Sequence, residues 1–146
     1  MPNANISRKS PSWVTGLLET TAGNIPQVST KLAAIDILGF WQMRWGIGRM
    51  NYKVEPGLNA IGSPGPDSPV LVSANYKMSF DILRRAMAGR DVWVLVIDTK
   101  GVNVWCAAGK GTFSTGAVLW QIKLTGLQKI APHGAIILPQ LSATGV

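Results

Sequence analysis

The strongest indication of the fold of this chain is the hexapeptide Val92-Trp93-Val94-Leu95-Val96-Ile97. It is continuously apolar and rich in β-branched residues, which is typical of a strand that is covered on both faces. Such a strand belongs in the centre of a sheet, because a strand at the edge has fewer neighbours to bury it. The sequence therefore predicts an α/β domain built around this strand.

Two further apolar runs, residues 69–73 and 135–138, lie on either side of the central strand in the sequence. Between the three runs we expect one helix that begins at the N-cap Ser79 and a second helix over residues 114–124 that ends at Gly126. The order strand, helix, strand, helix, strand predicts parallel pairing through right-handed crossovers.

The first part of the chain has less regular patterning. Residues 1–28 are mostly polar and are expected to form an N-terminal arm with one helical turn near residues 13–18. The main domain would then span residues 29–146. Within it, apolar residues at helical spacing predict a helix over residues 30–44, and residues 57–61 have the pattern of a short strand.

Composition limits the class of protein. Apolar residues make up 47% of the 146 residues, which is enough for one buried core, while charged residues make up 14% against about 25% in a typical domain. One Cys and one His exclude a disulfide framework, a Cys-based zinc site, a cysteine-ligated iron–sulfur cluster and a two-His metal motif within this chain. Without a long apolar run or an apolar N-terminal region, we expect a soluble, cytoplasmic chain.

The charges are distributed unevenly. The net charge is +7, and no carboxylate follows Asp98, whereas four lysines do. This half of the chain should present a positive potential, which suits phosphates, an anionic membrane surface or an acidic protein. The basic residues are scattered singly and lack interleaved aromatic residues, so we do not expect a nucleic acid partner.

The candidate site lies at the carboxyl ends of the predicted strands, where open α/β sheets bind ligands. Three loops, residues 74–77, 99–113 and 140–145, should meet there. The middle loop holds the only thiol, Cys106, which is followed by small residues that would let a flat ligand approach the backbone. In the first turn of a short helix, beside Lys110, this thiol would favour the thiolate and could act as a nucleophile or a soft metal ligand. The alternative is a buried Cys that acts as a small hydrophobe.

The Gly-Lys-Gly-Thr sequence at residues 109–112 is not a phosphate-binding P-loop. The P-loop pattern needs a Gly at the position of Val104 and a Ser or Thr directly after Lys110. Backbone amides of this segment could still bind an anion, but the signal is weak.

The octapeptide Asn-Val-Trp-Cys-Ala-Ala-Gly-Lys at residues 103–110 resembles the signature of the corrinoid protein of microbial mercury methylation. That family is distantly related to the large subunit of the corrinoid iron–sulfur protein. The resemblance covers residues 25–146. Outside the octapeptide it rests on residues 44–50, 54–57, 66–70, 74–77 and 137–141.

This resemblance implies a fold and a cofactor. The fold would be a Rossmann-like, three-layer domain with a mainly parallel sheet and a Cys-bearing cap helix or loop at the carboxyl edge. Residues 29–146 would bind a cobalamin-type corrinoid in its base-off form, and the thiolate of Cys106 would be the catalytic group and the axial ligand of cobalt. The other candidate cofactor-contacting residues are Asn75, Tyr76, Lys77, Thr99, Asn103, Val104, Trp105, Ala107, Ala108, Gly109, Lys110, Gly111, Thr112, Phe113 and Gln140.

The resemblance also implies a reaction and partners. A methyl group would pass from methylcobalt(III) to Hg(II) and form methylmercury. The methyl donor would be of the methyltetrahydrofolate type or the methyltransferase that uses it, and a ferredoxin-like protein with two [4Fe–4S] clusters would return cobalt to its reduced state. Family proteins continue into membrane-spanning helices that this chain lacks, which would place the full-length protein at the cytoplasmic face of the inner membrane.

Three alternatives stay open at this point. The chain could be a non-catalytic corrinoid carrier, or a paralogue with another methyl acceptor. The latter is suggested by the absence of acidic residues from the helical segment at residues 116–122. It could also be a thiol enzyme that uses Cys106 as a nucleophile without cobalt.

Overall fold

The computed structural model of this chain describes residues 11, 13–31, 54–100, 111 and 113–139. Most of the helix expected over residues 30–44 lies outside these residues, and so does the segment around Cys106.

The described residues form one six-stranded sheet and three helices. The strands lie in the order β1-β2-β3-β5-β4-β6. In chain order the elements are β1 (Val14–Thr20), β2 (Gly23–Val28), β3 (Gly57–Ile61), β4 (Val70–Ala74), α1 (Lys77–Ala86), β5 (Val92–Ile97), α2 (Thr115–Thr125), α3 (Leu127–Ile130) and β6 (Ile136–Ile137).

The prediction of a buried central strand is confirmed. β5 lies between β3 and β4, and all six of its residues are buried. The parallel pairing expected of the three apolar runs is also confirmed, because β4 pairs in parallel with both β5 and β6. β3 runs antiparallel to β5, so its first residue, Gly57, lies beside Val96 near the carboxyl end of β5.

Side chains that alternate along β5 pack on opposite faces of the sheet, as the period of a strand requires. Trp93, Leu95 and Ile97 pack in one apolar cluster with residues of α2 and α3. Val92, Val94 and Val96 pack in a second cluster with Phe80 of α1. The sheet is therefore covered on both faces, and the predicted Rossmann-like, three-layer α/β fold is confirmed, with three of the five strand pairings parallel.

The two longer helices differ in how well local sequence predicts their starts. α2 begins after Ser114, whose Oγ accepts a hydrogen bond from the Ala117 N–H at 3.2 Å, and it ends at the left-handed Gly126, as predicted. The prediction that Ser79 caps α1 is wrong. That helix begins two residues earlier, after Tyr76, so Ser79 lies inside its first turn.

The prediction of a helical turn near residues 13–18 is also wrong. β1 and β2 form an antiparallel hairpin, and Gln27 of β2 joins it to β3 in parallel. Along β1, partly buried and exposed residues alternate strictly, which is the pattern of a strand with one covered face. The division into an N-terminal arm over residues 1–28 and a main domain over residues 29–146 stays a prediction, and residues 1–10 lie outside the described residues.

The strand expected over residues 135–138 is shorter than predicted. It contains only Ile136 and Ile137, which are 47% and 48% exposed. β6 is one of the two edge strands, so one of its sides has no pairing partner in the described part of the chain. An apolar run alone does not distinguish an edge strand from a buried one.

Candidate functional site

The carboxyl edge of the sheet is built by β4 and β5, which run in parallel and end beside each other. The Asn75 N–H donates to the Ile97 carbonyl at 3.0 Å, so the residues that follow the two strands stay in contact. The predicted meeting of the loops that follow these strands is therefore observed for Asn75 and Thr99.

Asn75 holds the start of the long loop in place. Its Oδ1 accepts hydrogen bonds from both the Thr99 N–H and the Thr99 Oγ1 at 2.9 Å. Its Nδ2 donates to Asp98 Oδ1 at 3.4 Å. Asn75 is 4% exposed and Thr99 is fully buried. The first residue of the loop that leads to Cys106 is thus fixed to the neighbouring strand.

Asp98 and Lys100 form a tight turn at the same edge. The Lys100 N–H donates to Asp98 Oδ1 at 3.0 Å, and Lys100 has a left-handed φ of 59°, which is uncommon for a residue other than Gly. Their ion pair joins Lys100 Nζ to Asp98 Oδ2 at 3.4 Å, and the side chains of Asp98 and Lys100 are 48% and 75% exposed. An ion pair so exposed to solvent contributes little to stability.

Two of the predicted cofactor-contacting residues, Tyr76 and Lys77, lie at the start of α1. The Lys77 Nζ lies 2.6 Å from Asp81 Oδ2 and 5.1 Å from the centre of the Trp13 ring. The Tyr76 hydroxyl donates to Met78 Sδ at 3.9 Å. Of these contacts, only the one between Lys77 and Trp13 links the start of α1 to the chain directly before β1. Contact of Tyr76 or Lys77 with a cofactor stays a prediction.

Phe113 and Gly111 are the described residues at the far end of the loop. Phe113 is fully buried in the apolar cluster that contains α2, so it anchors the loop as Thr99 does at the other end. Gly111 is exposed, with φ of 79°, and among the described residues no atom lies within 4 Å of the position that a Cβ would take. The remaining predicted site residues, which lie outside the described residues, are Asn103, Val104, Trp105, Cys106, Ala107, Ala108, Gly109, Lys110, Thr112 and Gln140.

Sequence reasoning did not place the segment from Val54 to Gly57 at this edge. It lies there because β3 is antiparallel to β5, and the Val54 N–H donates to the Asn75 carbonyl at 3.0 Å. The segment brings the exposed carboxylate of Glu55 to the same region. Its only sequence signal was its place in the family resemblance, because strand direction cannot be predicted from local patterning.

Within the described ranges, no group of three or more His, Cys, Asp and Glu side chains is arranged to hold a metal ion. None of the helices in those ranges has the length and hydrophobicity of a membrane span.

Replacing Asn75 with Ala is expected to lower the free energy of unfolding by about 1–3 kcal/mol, because two donors of buried Thr99 lose their acceptor. Urea denaturation followed by circular dichroism measures this. Asn24→Ala, at an exposed strand position, is the matched control and should change stability by less than about 0.5 kcal/mol. Equal effects of the two substitutions would contradict the importance of the Asn75 contacts.

Residues 29–145 match the family described as the CO dehydrogenase/acetyl-CoA synthase delta subunit. The chain is 31% identical over 97 residues to subunit gamma of the acetyl-CoA decarbonylase/synthase complex of Archaeoglobus fulgidus. This match covers 65% of the chain and 21% of that subunit. It is 34% identical over 93 residues to the same subunit of Methanopyrus kandleri, covering 62% of the chain and 20% of the relative. The chain thus spans about a fifth of the length of these relatives. The extent of the family match shows that this chain belongs to the CO dehydrogenase/acetyl-CoA synthase delta subunit family.

Proposed function

We propose that this chain is a corrinoid-binding domain that takes part in methyl transfer, with the Cys106 thiolate as the axial ligand of cobalt. The observation that carries the proposal is the anchoring of the only thiol-bearing loop at the carboxyl edge, between fully buried Thr99 and fully buried Phe113. Membership of the delta subunit family and the octapeptide at residues 103–110 support the same assignment.

The described residues fit such a cofactor in two respects. The edge is polar, and Asp98 offers a half-exposed carboxylate that could accept from the amide side chains of a corrin ring. At Gly111 no described residue lies within 4 Å of the position that a Cβ would take, so a flat ring could approach the main chain there. Cys106, as the only Cys in the sequence, would be the thiolate that holds cobalt.

A corrinoid, when bound, supplies a cobalt centre that can carry a methyl group. The protein's part is to bind, orient and tune it. Asn75 fixes the start of the loop through Thr99, and the small residues that follow Cys106 in the sequence would leave room for a ring. A thiolate donates more electron density to a metal than a neutral imidazole or water does, so Cys106 would favour release of the methyl group with carbanion or radical character.

That electronic character makes Hg(II), a soft electrophile, the methyl acceptor that we propose. We also propose a methyltetrahydrofolate-type donor or its methyltransferase, and a ferredoxin-like partner with two [4Fe–4S] clusters as reductant. Attachment of the full-length protein to the cytoplasmic face of a membrane belongs to the same proposal. The relatives are named as subunits of a complex, which is consistent with a domain that works with partners.

A non-catalytic corrinoid carrier and a paralogue with another acceptor are the competing functions. The latter is favoured by one observation, the lack of any acidic residue on α2. A thiol enzyme without cobalt is a third possibility, and it predicts rapid alkylation of Cys106 that added cobalamin does not slow.

The decisive measurement is the visible spectrum of cobalamin bound to the wild-type chain and to Cys106→Ala. We expect a thiolate-ligated, base-off spectrum that changes in the variant, while circular dichroism shows that both proteins are folded. Identical spectra would mean that the thiolate is not the cobalt ligand. Absence of cobalamin binding to the folded wild-type chain would overturn the corrinoid assignment itself.

A further inference from the structure

The outward side of α2 is apolar. Leu119, Trp120 and Leu124 are each about 60% exposed, whereas a surface helix normally carries polar residues on its outer side. Val118 and Ile122 on the inner side are buried in the core, so the outer residues are not needed to pack the helix against the sheet. Large apolar side chains exposed together on one helix are typical of an interaction site.

A groove of about 720 Å³ lies beside this side of the helix. Leu119 and Leu127 line it from the helices, Ile136 lines it from the edge strand β6, and Val70 lies at its base. Val70 is the first residue of β4, so the groove is near the amino edge of the sheet. A partner could therefore occupy it while the candidate site at the carboxyl edge stays accessible.

The charges around the groove have one sign. Lys123 lines the groove. Lys129, which follows on α3, is also exposed. None of the described lining residues is acidic, and the sequence after Asp98 contains no carboxylate. An occupant that matched this surface would combine apolar side chains with carboxylates.

We propose that the groove together with Leu119, Trp120, Lys123 and Leu124, here called the α2 face, binds an apolar segment of a partner protein flanked by Asp or Glu residues. A second copy of this chain is a poor match, because a symmetric contact would bring Lys123 against its own copy and each copy has a net charge of +7. A flat lipid surface would leave the concave groove unfilled. This proposal does not depend on corrinoid binding.

The first test uses two synthetic amphipathic peptides with the same leucines, one flanked by glutamates and one by lysines. Fluorescence anisotropy of labelled peptide with the 146-residue chain should give a dissociation constant on the order of tenfold lower for the glutamate peptide. Lys123→Glu should remove that preference. Arg85→Glu, which changes the charge equally at an exposed position on α1 across the sheet, should change affinity less than about twofold.

The second test concerns the apolar side chains. Trp120→Ala and Leu119→Ala should each weaken the glutamate peptide several-fold, and circular dichroism should be unchanged because both residues are exposed. Four results would overturn the proposal: equal binding of the two peptides, equal effects of the Lys123 and Arg85 variants, a dimer that Trp120→Ala dissociates, or Trp120-dependent binding to phosphatidylcholine–phosphatidylserine vesicles.

Discussion

Asp81→Ala should lower the free energy of unfolding by about 3–5 kcal/mol, because it leaves a buried guanidinium without its counter-ion. Asp81 is fully buried and Arg84 is 1% exposed. The Nε and Nη2 of Arg84 both lie 2.9 Å from Asp81 Oδ1. The same carboxylate also binds Lys77. Urea denaturation followed by circular dichroism measures the loss.

The loss should extend beyond α1. The Arg84 Nη1 donates to the carbonyls of Ser29 and Lys31 at 2.9 and 3.1 Å, and so the guanidinium joins α1 to the chain that leaves the hairpin. Amide hydrogen exchange in β1 and β2 should therefore speed up in Asp81→Ala more than exchange in β5 does. The reason is that β5 also has β3 and β4 beside it and packs on α2 and α3, whereas the hairpin pairs with the rest of the sheet only at Gln27 and Ala60.

Two further variants test whether the loss of stability comes from the buried ion pair. Asp81→Asn keeps an oxygen that can accept from Arg84, and it should destabilise the chain less than Asp81→Ala does. Asp67→Ala removes an exposed carboxylate from the loop before β4 and should change stability by less than about 0.5 kcal/mol. A loss below about 1 kcal/mol for Asp81→Ala would show that the pair contributes little.

Cys106→Ala should abolish protein-dependent methyl transfer to Hg(II), if the proposed function is correct. The reason is the loss of the electron-donating sulfur, because corrin binding through the ring does not require it. The chain is loaded with methylcobalamin and mixed with thiol-complexed Hg(II) without oxygen, and methylmercury is quantified by mass spectrometry. Free methylcobalamin in the same buffer gives the rate to subtract.

The choice of acceptor separates the competing functions. A wild-type chain that transfers the methyl group to a thiol but not to Hg(II) would support a paralogue with another acceptor. A wild-type chain that binds cobalamin but transfers the methyl group to neither acceptor, with reductant present, would support a non-catalytic carrier. Transfer to Hg(II) that is equally fast in Cys106→Ala would show that the thiolate is not required. Each result leaves the assignment of the fold unchanged.

Local sequence was sufficient where local chemistry sets the structure. The β-branched apolar run predicted the central strand, and Ser114 and Gly126 predicted both ends of α2, because a cap needs only a nearby hydroxyl or a left-handed glycine. The octapeptide around Cys106 carries a specific part of the family resemblance, because a short signature is a local property of the chain. The role of its thiol remains a proposal, because residues 101–110 lie outside the described part of the chain.

Other features depend on residues far apart in the chain. Gln27 pairs with Ala60, and Gly57 pairs with Val96, so the hairpin's place in the sheet and the antiparallel direction of β3 follow from partners that no local window contains. The placement of Val54–Gly57 at the candidate site follows from that direction.

Sequence patterns were enough to predict the buried strand, the ends of α2, the positive charge of the second half and the loop that carries the only thiol. Tertiary packing was needed to show that Asp81 and Arg84 are buried together, that Asn75 holds Thr99, and that no described residue covers the outward side of α2. The physical reason is that burial and hydrogen-bond partners depend on which elements pack together, whereas strand propensity, helix caps and charge are properties of short stretches of chain.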